Sequence, residues 1–335
     1  MGRLYSGLVS ISFRKHSVRE IISAAADSKL EAVEWGGDVH VTPGDVKGAA
    51  ETGRLTRDAG MFVSSYGSYY RITGDPAARR MVPDDFKAVC ESAMALETGI
   101  VRIWGGTKSP DKLTPDEFAA MCDEADVIAG YAGKFGLKIA LECHNFTVTE
   151  DFENALRFID GAKKSNIYFY WQPNQLRTFE YNCDAARAMN NRVLNVHVFN
   201  WSPDARHPLI EGEAEWKRYI DILSGGQWPD PASGRGFLLE FMHDDRIETL
   251  KETAATLNRW INNIKGNIKM TKVMKIEGMM CMRCAARVKK ALEAVAGVET
   301  AEPDLEKKEC TVILSEDVDD AVLKNAVEEQ GYKVV

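Results

Sequence analysis

A chain of 335 residues with 45% hydrophobic and 27% charged residues has room for two cores and an ordinary globular composition, which excludes fibrous and disordered classes. Its formal net charge of −8 and pI of about 5.4 leave no basic surface to neutralise phosphates, so no nucleic-acid partner is expected. The deficit is shared, with 10 Lys+Arg against 13 Asp+Glu over residues 270–335 and 32 against 37 in the rest.

No apolar run approaches the ~20 residues needed to cross a bilayer, and the N-terminal stretch Leu8–Phe13 runs straight into Arg14, Lys15 and His16, so neither a membrane span nor a signal peptide is expected. Seven cysteines, an odd number, are scattered apart from the close pair Cys281 and Cys284, which suits a reducing cytoplasm better than a disulfide framework.

In chain order, short β-rich runs alternate with amphipathic stretches from residue 7 to about 264. The runs are Leu8–Phe13, Ala32–Trp35, Met61–Tyr66, Ile100–Trp104, Lys138–Glu142, Ile167–Gln172, Val193–Phe199 and Phe237–Phe241. Eight strands with eight helices predict an α/β fold, a (β/α)8 TIM barrel, over residues 1–265. Helix starts are written by Ser17 with Glu20, by Thr114-Pro115 with Glu117, and by Thr42-Pro43. A final helix from about Asp244 to Lys265 ends at the break Gly266-Asn267, which opens a linker over 266–271.

Residues 272–335 follow a different rhythm: strand 272–278, helix 284–295, strand near 300–305, strand 309–314, helix 318–330 and strand 332–335. This predicts a small α+β ferredoxin-like βαββαβ domain. Met274 and Ile276 alternate inward against Lys275 and Glu277, while Ala285, Val288, Leu292 and Val295, then Leu323, Ala326 and Val327, share one face of their helices.

In a TIM barrel chemistry sits at the C-terminal ends of the strands. Glu142 ends the fifth strand, Gln172 the sixth, His197 lies on the seventh and Glu240 on the eighth. Carboxylate, imidazole and amide-oxygen donors suit Mn²⁺, Mg²⁺ or Co²⁺, and two buried carboxylates would each cost several kcal/mol without a compensating cation.

This constellation, with Glu34-Trp35-Gly36-Gly37-Asp38-Val39-His40 on the second strand and Trp201-Ser202-Pro203-Asp204-Ala205-Arg206 after the seventh, resembles the xylose-isomerase-like superfamily of sugar isomerases and epimerases over residues 7–264. The resemblance implies one divalent ion held by a Glu, an Asp, a His and a second Glu, with the Asp position falling on Gln172 or Trp171. It implies a proton shift beside a sugar carbonyl through an enediolate, with Glu142 and Glu240 as the acid/base pair on opposite faces of the substrate. Arg206 and His144 are placed to meet substrate hydroxyls; Trp35 and Trp104 offer flat walls for a sugar, with structural packing the alternative reading of both. The substrate is expected to be a small sugar, whose identity and phosphorylation, like the oligomeric state, stay open.

Within Gly278-Met279-Met280-Cys281-Met282-Arg283-Cys284, two thiols three residues apart sit where a strand ends and a helix begins, so both can face one soft ion. This segment, with Asp304-Leu305-Glu306 and the closing Gly331-Tyr332, resembles the heavy-metal-associated domain of copper chaperones and metal-transporting ATPases. The resemblance implies Cu(I) or another soft metal on Cys281 and Cys284 and a metal-exchange partner protein.

Two competing readings apply to the barrel. A nuclease of the endonuclease IV type needs three metals and many histidines, whereas the chain has six and is acidic. A barrel whose site has decayed, as Gln172 suggests, would instead serve the metal domain as a binding or scaffold module.

Overall fold

The computed structural model describes residues 3–75, 81–267, 270–314 and 318–334. The chain divides into two compact units, Gly2–Ile261 and Asn262–Val335.

In the first unit eight parallel strands close on themselves: β1 (Leu4–Val9), β2 (Ala32–Gly36), β3 (Phe62–Arg71), β4 (Ile100–Trp104), β5 (Lys138–Glu142), β6 (Ile167–Trp171), β7 (Val193–Val198) and β8 (Arg235–Leu239). Leu4 of β1 pairs with Arg235 of β8 to shut the barrel. Each strand is followed by a helix: α1 (Val18–Asp27), α2 (Val46–Asp58), α3 (Asp84–Leu96), α4 (Pro115–Ala132), α5 (Phe152–Gly161), α6 (Phe179–Met189), α7 (Glu213–Ser224) and α8 (Leu250–Asn267). The expected (β/α)8 fold is present. Tyr5, Val9, Ala32, Ile100, Ala140, Tyr170 and Leu238 pack together as an apolar core.

The first strand ends at Val9, and the expected stretch Leu8–Phe13 continues as a 3-10 turn over Ser10–Phe13. Ile11 and Phe13 are as buried as strand residues, so apolar density alone does not separate the two conformations. Capping boxes form at Ser17 and Thr114 as expected, but the second helix starts later than Thr42-Pro43 implies. Gly44 turns the chain with φ +87°, and the Asp45 carboxylate caps α2 by accepting from the Gly48 amide at 2.9 Å.

The last barrel helix begins at Leu250, after a 3-10 turn at Ile247–Thr249, and runs through Gly266 to Asn267. A glycine in a final helical turn costs only about 1 kcal/mol, so Gly266 does not stop it. Residues 268 and 269 of the expected linker lie outside the described residues.

The second unit contains β9 (Met270–Glu277), α9 (Met282–Glu293), β10 (Val298–Asp304), β11 (Glu309–Leu314), α10 (Asp320–Glu328) and β12 (Lys333–Val334). Its antiparallel sheet runs β10-β11-β9-β12, the expected ferredoxin-like order. Met274, Ile276, Val288, Leu292, Val312, Leu323 and Val327 close its core, so the inward face read from sequence is the buried one. Among the described residues no helix is long and apolar enough to cross a membrane.

Candidate metal centres

Three side chains from the C-terminal ends of β5, β6 and β8 converge on the imidazole of His197 on β7, which is fully buried. Its Nδ1 stands 2.9 Å from Gln172 Oε1, 3.6 Å from Glu240 Oε2 and 3.8 Å from Glu142 Oε1. Strand geometry explains the convergence: β5 ends on Glu142, β6 stops one residue before Gln172, and the Glu240 amide continues the β8 pairing by donating to the Val198 carbonyl at 3.0 Å. Glu142, His197 and Glu240 offer ligand atoms all within 4.8 Å of one another, the one such cluster of three or more among the described residues.

Beneath this cluster lies an ionic network. Arg102, on β4 and fully buried, donates from Nε to Glu34 Oε1 at 2.7 Å and from Nη1 to Glu142 Oε2. The other oxygen of Glu34 faces His197 Nε2 at 3.5 Å and accepts from Ser65 Oγ at 2.9 Å.

The donors then follow one direction. Tyr5 OH donates to Asn195 Oδ1 (2.9 Å) and Asn195 Nδ2 to Tyr170 OH (2.8 Å). The Tyr170 hydroxyl, 2.7 Å from Ser65 Oγ, is left to donate to it, because the Ser65 proton is committed to Glu34. Glu34 is thus the terminal acceptor of a buried chain.

The electrostatics separate the carboxylates. Burial pushes Glu34 upward, but the Arg102 guanidinium and His197 overcome it and hold the carboxyl well below its usual range. Glu240 is raised, first by burial and then by Glu142, with His197 opposing. Burial lowers His197, yet the surrounding Glu240 and Glu34 carboxylates outweigh it and the imidazole is raised. Burial likewise works against the Arg102 charge, and its two glutamates raise it far above the ordinary value.

The remaining expected residues divide. His144 follows Glu142 by two positions, stacks on Trp104 with ring centroids 4.4 Å apart, and lines a recess with Cys143, Gln172, Asn174 and Trp201. Trp104 carries Arg71 over its ring at 4.0 Å, and its indole N–H has no hydrogen-bond partner. Arg206 pairs with Asp245 and lies 4.6 Å over Phe241, next in sequence to Glu240.

Trp35 is corrected: it is fully buried, and its indole donates to Thr56 Oγ1 of α2 at 3.1 Å, so it packs between sheet and helix and cannot line a sugar site. Two aromatic residues near the cluster adopt left-handed backbone, Tyr69 (φ 59°) over the Arg102 guanidinium and Phe241 (φ 50°). Such conformations in non-glycine residues concentrate at functional sites.

Sequence reasoning missed Arg102. The available signal was a lone arginine in an otherwise apolar strand, Ile100-Val101-Arg102-Ile103-Trp104, a position that in a buried strand demands a carboxylate partner. Glu34 was noticed only as part of a motif, and in the structure it is the most enclosed of the three carboxylates.

In the second unit Cys281 occupies the N-cap of α9 and Cys284 its first turn, with the sulfurs 3.5 Å apart and unbonded. Gly278, at φ +98°, turns the chain out of β9 into this loop. A backbone hydrogen bond from Met280, then the Tyr332 hydroxyl and the Cys281 thiol, lower the Cys284 thiol to about 7. Met280 and Met282 project into solvent beside the pair, while Met279 is buried in the core.

A closed parallel barrel with an enclosed acid–imidazole cluster, joined to a ferredoxin-like unit with two adjacent thiols, defines a TIM-barrel protein carrying a soft-metal module. The chain belongs to the xylose isomerase-like TIM barrel family, whose model matches residues 22–264, and residues 273–333 match the heavy-metal-associated domain. The C-terminal part is similar to the copper chaperone CopZ of Staphylococcus haemolyticus, at 41% identity over 66 residues, 19% of this chain and 97% of that protein.

The barrel is similar in fold to the probable 3-DHS dehydratase AsbF of Bacillus anthracis, with 18% identity and a TM-score of 0.61 over 76% of this chain and 99% of that one. It is also similar to D-allulose 3-epimerase of Methylomonas sp. in complex with D-allulose, with 15% identity and a TM-score of 0.57 over 78% and 98%.

Proposed function

We propose that the barrel, over residues 1–265, is a divalent-cation-dependent isomerase or epimerase of a small sugar, and that the domain over 272–335 carries Cu(I) on Cys281 and Cys284. The observation that supports the barrel reading is the convergence of Gln172, Glu142 and Glu240 oxygens on Nδ1 of His197. The donor set fits a hard divalent ion, three oxygens and one imidazole nitrogen. With Nδ1 as a metal donor, the proton of His197 sits on Nε2, which faces the Glu34 carboxylate at 3.5 Å without a hydrogen bond, so Glu34 acts on the imidazole through its charge. A bound cation would polarise the substrate carbonyl and stabilise the negative charge that develops on its oxygen during proton abstraction.

The chain's own residues then have distinct tasks. One oxygen of Glu142 is held by Arg102, which fixes its direction. Glu240 stands 3.6 Å from His197 Nδ1, beyond hydrogen-bond distance, so no bond to the imidazole has to break before it takes a carbon-bound proton and returns it. His144 and Arg206 meet substrate hydroxyls, and Trp104, whose ring carries both His144 and Arg71, backs His144 and leaves no free wall for a sugar. One three-residue cluster among the described residues does not support a three-metal nuclease centre.

The neutral Gln172 favours the second reading, a barrel that binds without catalysing, and one experiment separates the two. Protein loaded with Mg²⁺ is incubated in D₂O with a panel of ketoses and aldoses while NMR follows protons beside the carbonyl. Exchange that disappears in Glu240→Gln supports the enediolate reaction; no exchange with any sugar, together with no bound divalent ion, supports the binding module.

For the C-terminal domain the thiolate-favouring helix start and the chaperone-like sequence support Cu(I), with a metal-handling protein as its partner. The double change Cys281→Ser, Cys284→Ser is expected to abolish titratable Cu(I) binding, and retained stoichiometric copper would overturn the assignment. Thiolates suited to Cu(I) are poor donors for a site of oxygens and imidazole, so the two metals serve separate centres.

A further inference from the structure

We propose that Arg102 is the positioning residue of the barrel's cation site, holding one oxygen of Glu142 away from the ion and balancing one of three buried carboxylates. This rests on the cation-dependent reading of the barrel. The geometry carries it in two steps.

First, Glu142 Oε2 is occupied by Arg102 Nη1, while Oε1 is the atom turned toward His197 Nδ1 at 3.8 Å. A carboxylate pinned in this way offers one oxygen to an ion and cannot swing to chelate with both. Arg102 is in turn fixed by Glu34 through Nε at 2.7 Å, so a β2 carboxylate dictates the orientation of a β5 carboxylate through a guanidinium fork.

Second, the charges are countable. Glu34, Glu142 and Glu240 are each at most 5% exposed and Arg102 is 1% exposed. With all three carboxylates ionised, the four side chains leave two negative charges in excess, the complement of one divalent ion. A second divalent ion would leave a buried excess of positive charge, which low-dielectric surroundings penalise heavily.

Gly67 supplies the room this arrangement needs. A Cβ at Gly67 would stand 2.6 Å from both Arg102 Nη2 and Glu34 Oε1, so β3 admits the guanidinium only because that residue has no side chain. Nη2 itself has no hydrogen-bond partner, so two of the three guanidinium nitrogens do the holding.

The test uses the full chain, freed of metal with a chelator and titrated with Mn²⁺, comparing wild type with Arg102→Lys, Arg102→Met and Gly67→Ala. Bound Mn²⁺ per chain, the Mn²⁺ electron paramagnetic resonance spectrum and the Mn²⁺-induced rise in Tm are read for each. Wild type is expected to bind one Mn²⁺. Arg102→Lys keeps the charge but loses the fork, and Gly67→Ala keeps the charge but displaces the guanidinium. Both are expected to change the spectrum and to shift Kd by about tenfold or more, the range seen when residues that orient a metal ligand are altered.

Arg102→Met leaves Glu34 and Glu142 unbalanced, so Mn²⁺ is expected to raise its Tm by more than it raises that of wild type. If Arg102→Met does not fold, Arg102→Lys and Gly67→Ala decide. One Mn²⁺ in wild type with unchanged spectra and affinities in those two variants overturns the positioning role, and two Mn²⁺ per chain overturn the charge argument. No Mn²⁺ uptake by wild type overturns the cation-dependent reading of the barrel and this inference with it.

Discussion

Replacing Tyr170 by Phe removes one oxygen from the centre of the barrel and leaves the ring in place, so it isolates the worth of the buried hydrogen-bond chain. Tyr170 is fully buried, and its hydroxyl accepts from Asn195 Nδ2 at 2.8 Å and lies 2.7 Å from Ser65 Oγ. Without it, the Asn195 amide keeps a donor with no acceptor, and Ser65 loses its partner on that side while still donating to Glu34. One buried donor left unsatisfied costs about 1–3 kcal/mol, and loss of the bond itself adds roughly 1 kcal/mol. For a unit of this size each kcal/mol moves Tm by about 2–4 °C, so the expected fall is roughly 4–16 °C.

All seven tryptophans lie between positions 35 and 260, so tryptophan fluorescence follows barrel melting without interference from the C-terminal domain. Mn²⁺ uptake should survive the change, because the chain ends on Glu34 behind His197 and not on the ligand atoms. A Tm within about 1 °C of wild type, below the shift of a single kcal/mol, would refute the reasoning that this chain carries stability.

Trp35→Phe is expected to cost about 1 kcal/mol through the lost bond to Thr56 while leaving the KM of the proposed sugar reaction unchanged, which steady-state kinetics and melting together check. His197→Ala should abolish Mn²⁺ uptake by the barrel and leave Cu(I) binding by the C-terminal domain intact, as read by metal analysis of each titration. For Cys284, whose thiol is lowered from 9.0 to about 7, the thiolate is the main form above pH 7, so alkylation of the metal-free protein by iodoacetamide should rise with pH around a midpoint near 7. A midpoint near 9 would show that Met280 and Tyr332 do not stabilise it. Gly278→Ala, at φ +98°, is expected to destabilise the C-terminal unit by about 1–3 kcal/mol, visible as a lower midpoint in urea unfolding followed at Tyr332.

Much of this was legible in the sequence because periodicity and caps are local. The capping boxes at Ser17 and Thr114 and the alternation around Met274 and Ile276 are written within a few residues, and the structure realises each. That Glu142, Gln172, His197 and Glu240 meet could be read because barrel geometry brings the ends of successive strands together.

What escaped was long-range and relational. Arg102 is separated from Glu34 by 68 positions and from Glu142 by 40, and no local pattern states which carboxylates a buried guanidinium will choose. Trp35 was misread for the same reason: its position on β2 is plain, but which face of the sheet it occupies depends on where α2 packs. At β1 the turn Ser10–Phe13 is as apolar as the strand before it, so hydropathy placed the strand too late.

The one-way order of donors from Tyr5 to Glu34 also governs where protons can come from. Hydroxyls can hand a proton along by rotating, but the Asn195 amide cannot, since its nitrogen only donates and its oxygen only accepts. The amide therefore interrupts proton relay along this one chain of groups. In the proposed reaction, protons exchanged with a substrate would therefore reach the cluster by a route other than this chain, and the isotope incorporated into product would report that route.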